Sequence, residues 1–399
     1  MRRQHHVLAA TLLIIGIIYL SAPIQSPLLD HLYRYRNDGA HGQDLSHGNL
    51  ANPKSDIQAP VRVDPPDAPA KPASYDNLNH DDTPAVKHDF PFQDDLDLDF
   101  PRASLKKFSA QAPLHYDANG QKSFAYATFM ATRSPSLKDP YFLAIQSVVH
   151  RVLWSPRTRT KKYPFIVFVA DFVTSEQRAL FSGAGAVVRE LAPLEWHCDK
   201  PGSQPRWNDL FAKINMWAET DFERILFLDA DAFPLTNIDD MFEIAPVQQC
   251  IDAKLDLDDL LPGLESVCEP YIFAGVPQDP FATTRRDVNV GSMVFTPSKK
   301  MHRRLLQNFN KTDHYDCAMA EQAFLNWQFG IDGAFPSTAL DRIWGGFFPQ
   351  DDDENKLKVV HEKIWVEKNG WLKKEWQRGW TEMVNWYRSR KFGDARRQT

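Results

Sequence analysis

Cysteine is scarce in this sequence, with four among 399 residues, at Cys198, Cys250, Cys268 and Cys317. None forms a C-x-x-C pair or stands at a histidine-flanked zinc spacing, so the common zinc modules are excluded. Cys250 and Cys268 are close enough in sequence to close a loop in an oxidising compartment. A pair of free, buried thiols fits the spacing equally well.

A basic excess is also missing. The formal net charge is −6 and the pI is about 6.1, which argues against a nucleic-acid binder. Charge is nevertheless uneven, since residues 89–99 are acidic and the last thirty residues are rich in Lys and Arg. No internal repeat is present. With 43% hydrophobic and 12% aromatic residues, the chain can bury a sizeable core in one large domain or two ordinary ones.

One long apolar run lies at the N-terminus. Residues 7–22, VLAATLLIIGIIYLSA, carry no charge and follow Arg2 and Arg3. At about 1.5 Å per residue, such a helix spans most of an early-secretory bilayer. The preceding arginines favour a cytoplasmic N-terminus. A cleavable signal peptide is the alternative, but Leu20 and Pro23 suit a cleavage site poorly, and we predict an uncleaved anchor with a luminal catalytic domain.

Proline, Asp, Asn, His and Ala dominate from about residue 25 to residue 112. Such a composition buries too little apolar surface to offset the entropy of ordering. We predict an extended, disordered stem. Residues 89–100 contain enough Phe and Leu to dock on another surface, but a solvated acidic linker is the preferred interpretation.

Alternating strand and helix patterns begin near Ser123. Apolar strand candidates occupy residues 123–131, 163–170, 186–191 and 224–228, with helix patterns between them. This alternation predicts an α/β fold, a mostly parallel sheet with helices on both faces. Ligands of such sheets lie beyond the carboxyl ends of the strands.

The segment RILFLDADAFPL places Asp229 and Asp231 directly after a buried strand. Charge repulsion and lost hydration oppose this placement unless a cation is present. Residues i and i+2 of an extended segment point the same way, so both carboxylates can converge on one hard divalent ion. Mg²⁺ or Mn²⁺ commonly bridges such carboxylates to a diphosphate. D-x-D alone is a weak signal, and the apolar strand before it strengthens the metal interpretation.

Four ordered motifs resemble glycosyltransferase family 8, the glycogenin-like retaining transferases. They are the block from FAKINMW through RILFLDADAFPLTNIDDMFE, the Asn-x-Gly strand VNVGSMVFTPS, the helix start AEQAFLN and the C-terminal segment VVHEKIW. The motifs span roughly residues 124–371. The resemblance implies a GT-A fold, a nucleotide-sugar donor that is usually UDP-linked, Mn²⁺, and transfer with retention at the anomeric carbon.

The resemblance also implies site residues. Asp229, Asp231 and His361 would hold the metal, and a histidine beside two carboxylates suits Mn²⁺ better than Mg²⁺, which stays possible. Lys213 would reach the phosphate or sugar of the donor, and Lys363 the diphosphate. Gln322 would lie beside the anomeric carbon. Positions matching donor contacts are Thr128, Phe129, Ala131, Tyr141, Asp229, Ala230, Asn289 and Gly291.

Two positions depart from the family pattern. Glu321 stands where the family has Asp before Gln322, so the contacts to the donor hydroxyl groups are expected to differ. Glu362 stands where fungal members have Gly, and a carboxylate beside a diphosphate is unfavourable unless it points away. Because no carboxylate nucleophile is evident, we favour front-face substitution over a covalent intermediate.

Three further segments carry secondary predictions. The stretch between the D-x-D motif and Asn289 is interpreted as a surface insertion that shapes the acceptor site, or as a packing excursion. Asn310-Lys311-Thr312 is a glycosylation acceptor pattern. The Trp-rich basic C-terminal helix either docks on the catalytic core or rests on a membrane surface.

The sequence thus predicts a cytoplasmic tail at residues 1–6, an anchor at 7–22, a stem at 23–117 and a GT-A catalytic domain at 118–399. The predicted activity is Mn²⁺-dependent transfer of a sugar from a UDP-sugar to a luminal glycan in the Golgi, by a single-pass type II membrane protein. N-acetylglucosamine is the first donor candidate, on the resemblance to the fungal branch, and glucose or galactose follow. A glycoside hydrolase and a non-catalytic GT-A scaffold are the competing functions.

Overall fold

The structure, a computed structural model, describes residues 100–120, 122–200, 205–281 and 287–399. The predicted tail, the anchor at residues 7–22 and the stem as far as residue 99 lie outside the described residues. Within the described ranges, no helix is both long and apolar enough to span a bilayer.

Strands and helices alternate through the first half of the described chain, as the sequence pattern predicts. The strands are β1 (Ser123–Met130), β2 (Phe165–Val169), β3 (Val187–Glu190), β4 (Phe222–Leu228), β5 (Ala232–Pro234), β6 (Leu260–Leu261), β7 (Glu265–Ser266), β8 (Phe273–Pro277), β9 (Val288–Phe295), β10 (Thr338–Ala339), β11 (Gly346–Phe347) and β12 (Val359–His361). The α-helices are α1 (Arg102–Lys106), α2 (Pro140–Leu153), α3 (Ser175–Ala184), α4 (Met241–Ile244), α5 (Lys299–Asn308), α6 (Ala320–Gln328), α7 (Gly370–Arg388) and α8 (Arg390–Arg397). A long 3₁₀ helix spans Pro205–Ala218, and shorter 3₁₀ turns span Asp252–Lys254, Leu257–Asp259, Cys317–Met319, Arg342–Trp344 and Asp351–Asp353.

The central sheet has the strand order β10-β8-β9-β4-β1-β2-β3. Strand β1 pairs in parallel with β2 and β4, β2 with β3, and β8 with β10. The pairs β4–β9 and β8–β9 are antiparallel. Every residue of β2, β8 and β9 is buried, which requires cover on both faces of the sheet. The predicted α/β class with a mostly parallel sheet is confirmed.

Local sequence signals position the first helices. Asp139 accepts hydrogen bonds from the backbone amides of Tyr141 and Phe142, and Pro140 occupies the first turn of α2. Thr174 and Gln177 form a reciprocal capping box at the start of α3. These caps fix the starts of the helices that follow β1 and β2. Because the two strands are parallel, their carboxyl ends lie at one edge of the sheet.

A second, three-stranded sheet has the order β11-β12-β5. Strand β12 pairs antiparallel with β5, with His361 opposite Ala232, and parallel with β11, with His361 opposite Phe347. Because β5 begins directly after Asp231, this pairing carries His361 from far along the chain to the D-x-D segment.

The packed domain begins earlier than the predicted boundary at residue 118. Phe100, Leu105, Phe108 and Leu114 are buried members of the main hydrophobic core. Phe100 contacts Phe142 of α2 edge-to-face, with ring centroids 5.6 Å apart. Residues 100–117, which the sequence analysis assigns to the stem, therefore belong to the folded domain because their apolar side chains cover α2 and α3.

All four cysteines are paired. One disulfide joins Cys250 to Cys268, and a second, which the sequence analysis did not anticipate, joins Cys198 to Cys317. The first closes the insertion that contains the hairpin of β6 and β7. Inside this insertion Leu261 and Val267 are buried, and Asp259 pairs with Arg304 of α5 at 2.6 Å. The insertion is thus packed on the domain.

The C-terminal helix α7 docks on the core. Trp376, Trp380 and Met383 are at most 2% exposed, as the predicted apolar face requires. Trp376 contacts Phe233 of β5 edge-to-face, with centroids 5.8 Å apart. Because these side chains are covered by protein, this face of α7 is not available to a membrane.

Candidate active site

The carboxylates of Asp229 and Asp231 lie beyond the carboxyl end of β4, as predicted. The amide of Asp229 donates to the carbonyl of Gly291 at 2.8 Å, and the carbonyl of Asp231 accepts from the amide of Glu362 at 3.0 Å. The antiparallel neighbour β9 therefore fixes the first aspartate, and the segment after β12 fixes the second.

Three candidate metal ligands converge at this edge of the sheet. Nε2 of His361 lies 3.2 Å from Oδ1 of Asp231 and 3.9 Å from Oδ2 of Asp229. One ligand atom from each residue lies within 4.8 Å of the others. The side chains of Asp229, Asp231 and His361 are 28%, 15% and 8% exposed, so the cluster is recessed and still open to solvent.

Gly291 makes this convergence possible. A Cβ atom built on Gly291 would lie 2.2 Å from Cε1 of His361 and 2.6 Å from Oδ2 of Asp229. Any side chain at position 291 would therefore fill the space between the ligands. Gly291 was predicted to allow close approach of the backbone to the site, and the missing Cβ explains how it does so.

Two lysines compensate the acidic side chains. Nζ of Lys213 lies 2.8 Å from Oδ1 of Asp229 and 2.8 Å from Oε1 of Glu321. Nζ of Lys363 lies 3.2 Å from Oδ2 of Asp231. Three carboxylates and two ammonium groups leave one negative charge unbalanced when His361 is neutral. A divalent cation would reverse that sign, and the resulting positive site would suit a diphosphate.

The pKa shifts in the cluster follow from these contacts. Burial acts to raise the pKa of Asp231, but Lys363 and then His361 outweigh it and hold that pKa well below its usual range. Burial acts to lower the pKa of Lys213, and the charges of Asp229 and Glu321 raise it above its usual value. For His361, burial lowers the pKa, while Asp231 and Asp229 produce a net rise. Asp231 is therefore kept ionised, as a ligand of a cation needs to be.

Side-chain amides from α6 hold the first residues of β9. Asn326 accepts from the amide of Val288 at 2.8 Å and donates to its carbonyl at 2.9 Å. Oε1 of Gln322 accepts from the amide of Val290 at 3.4 Å. Asn289 folds back to accept from the amide of Gly291 at 2.9 Å. Asn289, Gly291, Glu321 and Gln322 are thus brought together beside the aspartates.

The predicted nucleotide-contacting residues of β1 are placed differently. The side chains of Thr128 and Phe129 are 0% and 6% exposed, because β1 is a central strand that stays paired with β2 as far as Met130. The side chains of these two positions are buried, and contacts of the positions with uracil and ribose stay a prediction. Ala131 is half-buried at the sheet edge, and the ring of Tyr141 lies edge-to-face with that of Trp365 at 5.7 Å. Ala230, between the two aspartates, is 9% exposed.

The departure at Glu362 is accommodated locally. Its Oε1 accepts from the amide of Lys363 at 2.9 Å, which turns the carboxylate back onto its own backbone. The departure at Glu321 has a larger consequence, since this carboxylate binds Lys213 in a site that is 5% exposed. Lys213 and Glu321 were both predicted to contact the donor, and their pairing with each other was not predicted.

Sequence reasoning also missed the ring of Phe347. Its centroid lies 5.3 Å from that of His361, and the pairing of β11 with β12 places it there. Two consecutive phenylalanines between Gly346 and Pro349 were the available signal. Apolar residues in a Gly- and Pro-bounded loop lack the periodicity of a core strand.

The comparisons with known proteins agree with the class that the motifs indicate. No protein-family model matches the chain. The chain is 27% identical over 272 residues to an uncharacterized protein of Schizosaccharomyces pombe, covering 60% of this chain and 73% of that protein. It is 27% identical over 262 residues to galactinol synthase 7 of Arabidopsis thaliana, covering 60% and 72%. It is 25% identical over 255 residues to galactinol synthase 1 of Solanum lycopersicum, again covering 60% and 72%.

Among solved structures, the chain is similar to the glycosyltransferase GlyE of Streptococcus pneumoniae TIGR4. The identity is 15%, the alignment covers 67% of this chain and 64% of that chain, and the TM-score is 0.39. A likeness at this level supports no argument about the site. The sequence similarity to galactinol synthases supports a relationship of this chain to glycosyltransferases.

Proposed function

We propose that this protein is a metal-dependent retaining glycosyltransferase that moves a sugar from a UDP-sugar donor to a glycan acceptor. The observation that carries the proposal is the convergence of Asp229, Asp231 and His361 within 4.8 Å at the carboxyl end of β4. The glycine at position 291 leaves this space open, and the similarity to galactinol synthases gives the site a chemical class.

The donor set fits a divalent cation. Asp229 and Asp231 supply oxygen ligands and His361 supplies a nitrogen, a combination that favours Mn²⁺ over Mg²⁺. When bound, such an ion stabilises the charge that develops on the leaving diphosphate. Lys213 holds one oxygen of Asp229, which leaves the other oxygen directed toward His361.

The two lysines have different roles in this proposal. Lys213 is 4% exposed and held between two carboxylates, so we assign it to positioning Asp229 and Glu321. Lys363 is 23% exposed and borders Asp231, so its ammonium group can bind the diphosphate and stabilise negative charge during bond cleavage.

Retention is proposed to follow a front-face route. Gln322 is half-buried at the start of α6, next to the segment 289–291 that borders the donor pocket. The neighbouring Glu321 is paired with Lys213 and 5% exposed, a poor state for an attacking nucleophile. Gln322 would then stabilise the positive charge that develops at the anomeric carbon, on the face opposite the leaving group.

Three donor sugars are candidates, and two of them have specific support. N-acetylglucosamine rests on the motif resemblance to the fungal branch. Galactose rests on the similarity to galactinol synthases, which are named for the product galactinol. Glucose is the third member of the panel.

We also propose a luminal Golgi location with a type II anchor at residues 7–22. The two disulfides support an oxidising compartment. Asn310 of the glycosylation pattern is exposed, so its amide is accessible for modification. Both features favour the secretory pathway over the cytosol.

The test is a donor screen on the full-length chain in detergent. UDP release from UDP-N-acetylglucosamine, UDP-galactose and UDP-glucose is measured with Mn²⁺, with and without a mixed glycan acceptor. We expect release from one donor that stops with EDTA and in Asp231→Ala. Turnover that survives both treatments contradicts the proposal and favours a hydrolase with an acid/base pair of carboxylates. Nucleotide binding without turnover on any glycan favours the scaffold alternative.

A further inference from the structure

Two consecutive phenylalanines lie near the proposed metal site, and the ring of Phe347 contacts that of His361. Phe347 lies opposite His361 in the second sheet, and the ring of Phe348 lies 4.1 Å from that of Phe347. Both residues are half-buried, so part of each ring faces solvent. Strand β11 reaches the site through its pairing with β12, and Gly345, the residue before β11, packs against Ser292 of β9.

The backbone that presents these rings is strained. Phe348 has φ of 51°, a left-handed conformation that is rare for a bulky residue. Such strain persists only where the surrounding structure enforces it, and it clusters at functional sites. The ring of Phe348 is half-buried and packs on that of Phe347.

Arg342 and Asp353 enforce this conformation. The guanidinium of Arg342 binds both carboxylate oxygens of Asp353 at 2.7 Å each. The same guanidinium donates to the carbonyls of Phe348 at 3.0 Å and Phe347 at 3.3 Å. Gln350 donates a further hydrogen bond to the carbonyl of Phe348 at 2.9 Å. The loop is therefore held in place before any ligand arrives.

A third ring belongs to the same surface. Phe281 is 62% exposed, and the guanidinium carbon of Arg342 lies 5.5 Å from its centroid. We call Phe281, Phe347 and Phe348 the phenylalanine platform. Arg342 contacts all three residues and so connects the exposed ring of Phe281 to the two half-buried ones. Exposed apolar patches often mark binding surfaces.

We propose that the phenylalanine platform binds a pyranose ring of the acceptor carbohydrate. A pyranose has an apolar face of C–H groups, and phenyl rings remove that face from water while the hydroxyl rim stays free to react. The metal site lies directly beside the platform, so a hydroxyl of a bound sugar would face the donor. This inference rests on the proposed function and names the acceptor subsite within it.

One other location could hold the acceptor, and one other ligand could occupy the platform. A cavity of about 590 Å³ lies beyond the ends of β2 and β3, and its lining includes Phe172 and Trp196 but none of the candidate metal ligands. The platform could also stack on the uracil base. The acceptor is favoured because the proposed donor contacts, Asn289, Glu321 and Gln322, lie on β9 and α6, whereas Phe347 and Phe348 lie on β11 and the loop after it, next to His361.

The experiment separates acceptor binding from donor binding in the full-length chain in detergent. Saturation-transfer NMR with Mg²⁺, UDP and methyl glycosides of mannose, galactose, glucose and N-acetylglucosamine measures acceptor binding without turnover. UDP affinity is measured by calorimetry with Mn²⁺. Where the donor screen finds a substrate, the acceptor KM is measured as well. The variants are Phe347→Ala, Phe348→Ala and Phe348→Gly, with Phe172→Ala as the matched aromatic control at the other cavity.

We expect the platform variants to lose the glycoside signal and to raise the acceptor KM by roughly 10-fold or more, while the UDP Kd changes less than about 2-fold. Phe348→Gly removes the ring and also the penalty of a positive φ, so it keeps the fold intact and still lacks acceptor binding. Phe347→Tyr should restore the signal because it retains an aromatic face.

Three outcomes overturn the inference. They are unchanged acceptor binding in the Phe347→Ala/Phe348→Ala double variant, a loss confined to Phe172→Ala, and a weakened UDP Kd with normal acceptor binding. The NMR arm needs no turnover, so its result stands whether or not the donor screen succeeds. A failed donor screen with an intact platform signal contradicts only the proposed function.

Discussion

Two groups of buried charge in this domain have opposite designs. The acidic site contains three carboxylates, Asp229, Asp231 and Glu321, with Lys213, Lys363 and His361. The arginine cluster contains one carboxylate, Glu375 of α7, with three guanidinium groups from Arg151, Arg157 and Arg378. Carboxylates outnumber the lysines in the acidic site, and guanidinium groups outnumber the carboxylate in the arginine cluster.

The arginine cluster is closed. Glu375 is 6% exposed, and one of its oxygens accepts from Nη1 of Arg151 at 2.5 Å, while Arg157 and Arg378 bind as well. Arg151 also donates to the carbonyl of Pro234 at 3.0 Å and so ties α2 and α7 to the strand after the D-x-D motif. Every oxygen of Glu375 is satisfied by protein, which is the pattern of a structural ion pair.

The acidic site lacks this closure. Its two aspartates are 28% and 15% exposed and keep an unbalanced negative charge in the geometry of a cation site. The comparison teaches that burial of charge alone does not mark function. Charge imbalance does not separate the two groups either; what separates them is that three ligand atoms converge at the acidic site.

The largest expected effect is on stability at the arginine cluster. Glu375→Ala leaves Arg151 buried without its carboxylate, so the free energy of unfolding should fall by about 3–5 kcal/mol. Urea unfolding of the full chain measures this. Arg378→Ala is the control, because that side chain is 57% exposed and its loss should cost less than about 1 kcal/mol. Equal effects of the two variants would show that the cluster is not closed as described.

The second effect is on activity at the acidic site. Asp231→Asn keeps the shape of the side chain and removes its charge, so UDP-sugar turnover should fall by about 10²–10³-fold. Stability should fall, but by less than in Glu375→Ala, because Lys363 and His361 favour the charged form of Asp231 while the site stays open to solvent. Thermal unfolding measured beside the initial rates checks both statements. A loss of stability as large as that of Glu375→Ala would place Asp231 with the structural ion pairs.

Acid should act through the arginine cluster. Burial tends to raise the pKa of Glu375, but Arg151 and Arg157 outweigh it and lower that pKa to about 2. A carboxyl group with a lowered folded-state pKa stabilises the fold above its unfolded-state pKa, and this contribution is lost as pH falls from about 4.5 toward 2. Unfolding free energies at pH 7 and pH 2.5 should therefore include a loss of roughly 3 kcal/mol that Glu375→Gln lacks. An identical acid dependence in Glu375→Gln would refute this assignment.

Two glycines provide the smallest and most closely matched contrast. A Cβ at Gly379 would lie 2.2 Å from Nη2 of Arg151, as a Cβ at Gly291 would from Cε1 of His361. Alanine normally stabilises a helix relative to glycine, but Gly379→Ala should lower the free energy of unfolding by about 1–3 kcal/mol because the added Cβ overlaps Arg151. The affinity for Mn²⁺ should stay normal in this variant. Gly291→Ala should weaken Mn²⁺ binding by about 10-fold or more. Calorimetric titration and urea unfolding of both variants test the contrast, and it fails if the two variants behave alike.

The sequence was sufficient for features that depend on local pattern. The buried strand before Asp229, the helices that follow β1 and β2, and the apolar face of α7 are each written in consecutive residues. The two aspartates were predicted to point the same way as residues of an extended chain, but they lie in a turn that is closed by a hydrogen bond from the amide of Ala232 to the carbonyl of Asp229 at 3.0 Å. His361 came from the family resemblance, and only the pairing of β12 with β5 explains its place beside Asp231.

Other features depend on contacts that no local pattern carries. The Cys198–Cys317 disulfide and the Lys213–Glu321 pair join segments far apart in the chain. Strands β10 to β12 have two or three residues each, too few for a periodic signal. The folded domain begins by Phe100 because isolated apolar residues after an acidic stem find a surface on α2 and α3.

The most direct test of the central claim is Mn²⁺ binding to the full-length chain, measured by calorimetry and electron paramagnetic resonance with UDP present. We predict one ion per chain, with affinity that falls by at least about 10-fold in His361→Ala while the Glu375→Gln variant binds normally. An affinity unchanged by His361→Ala, or no binding in the wild-type chain, would contradict the account.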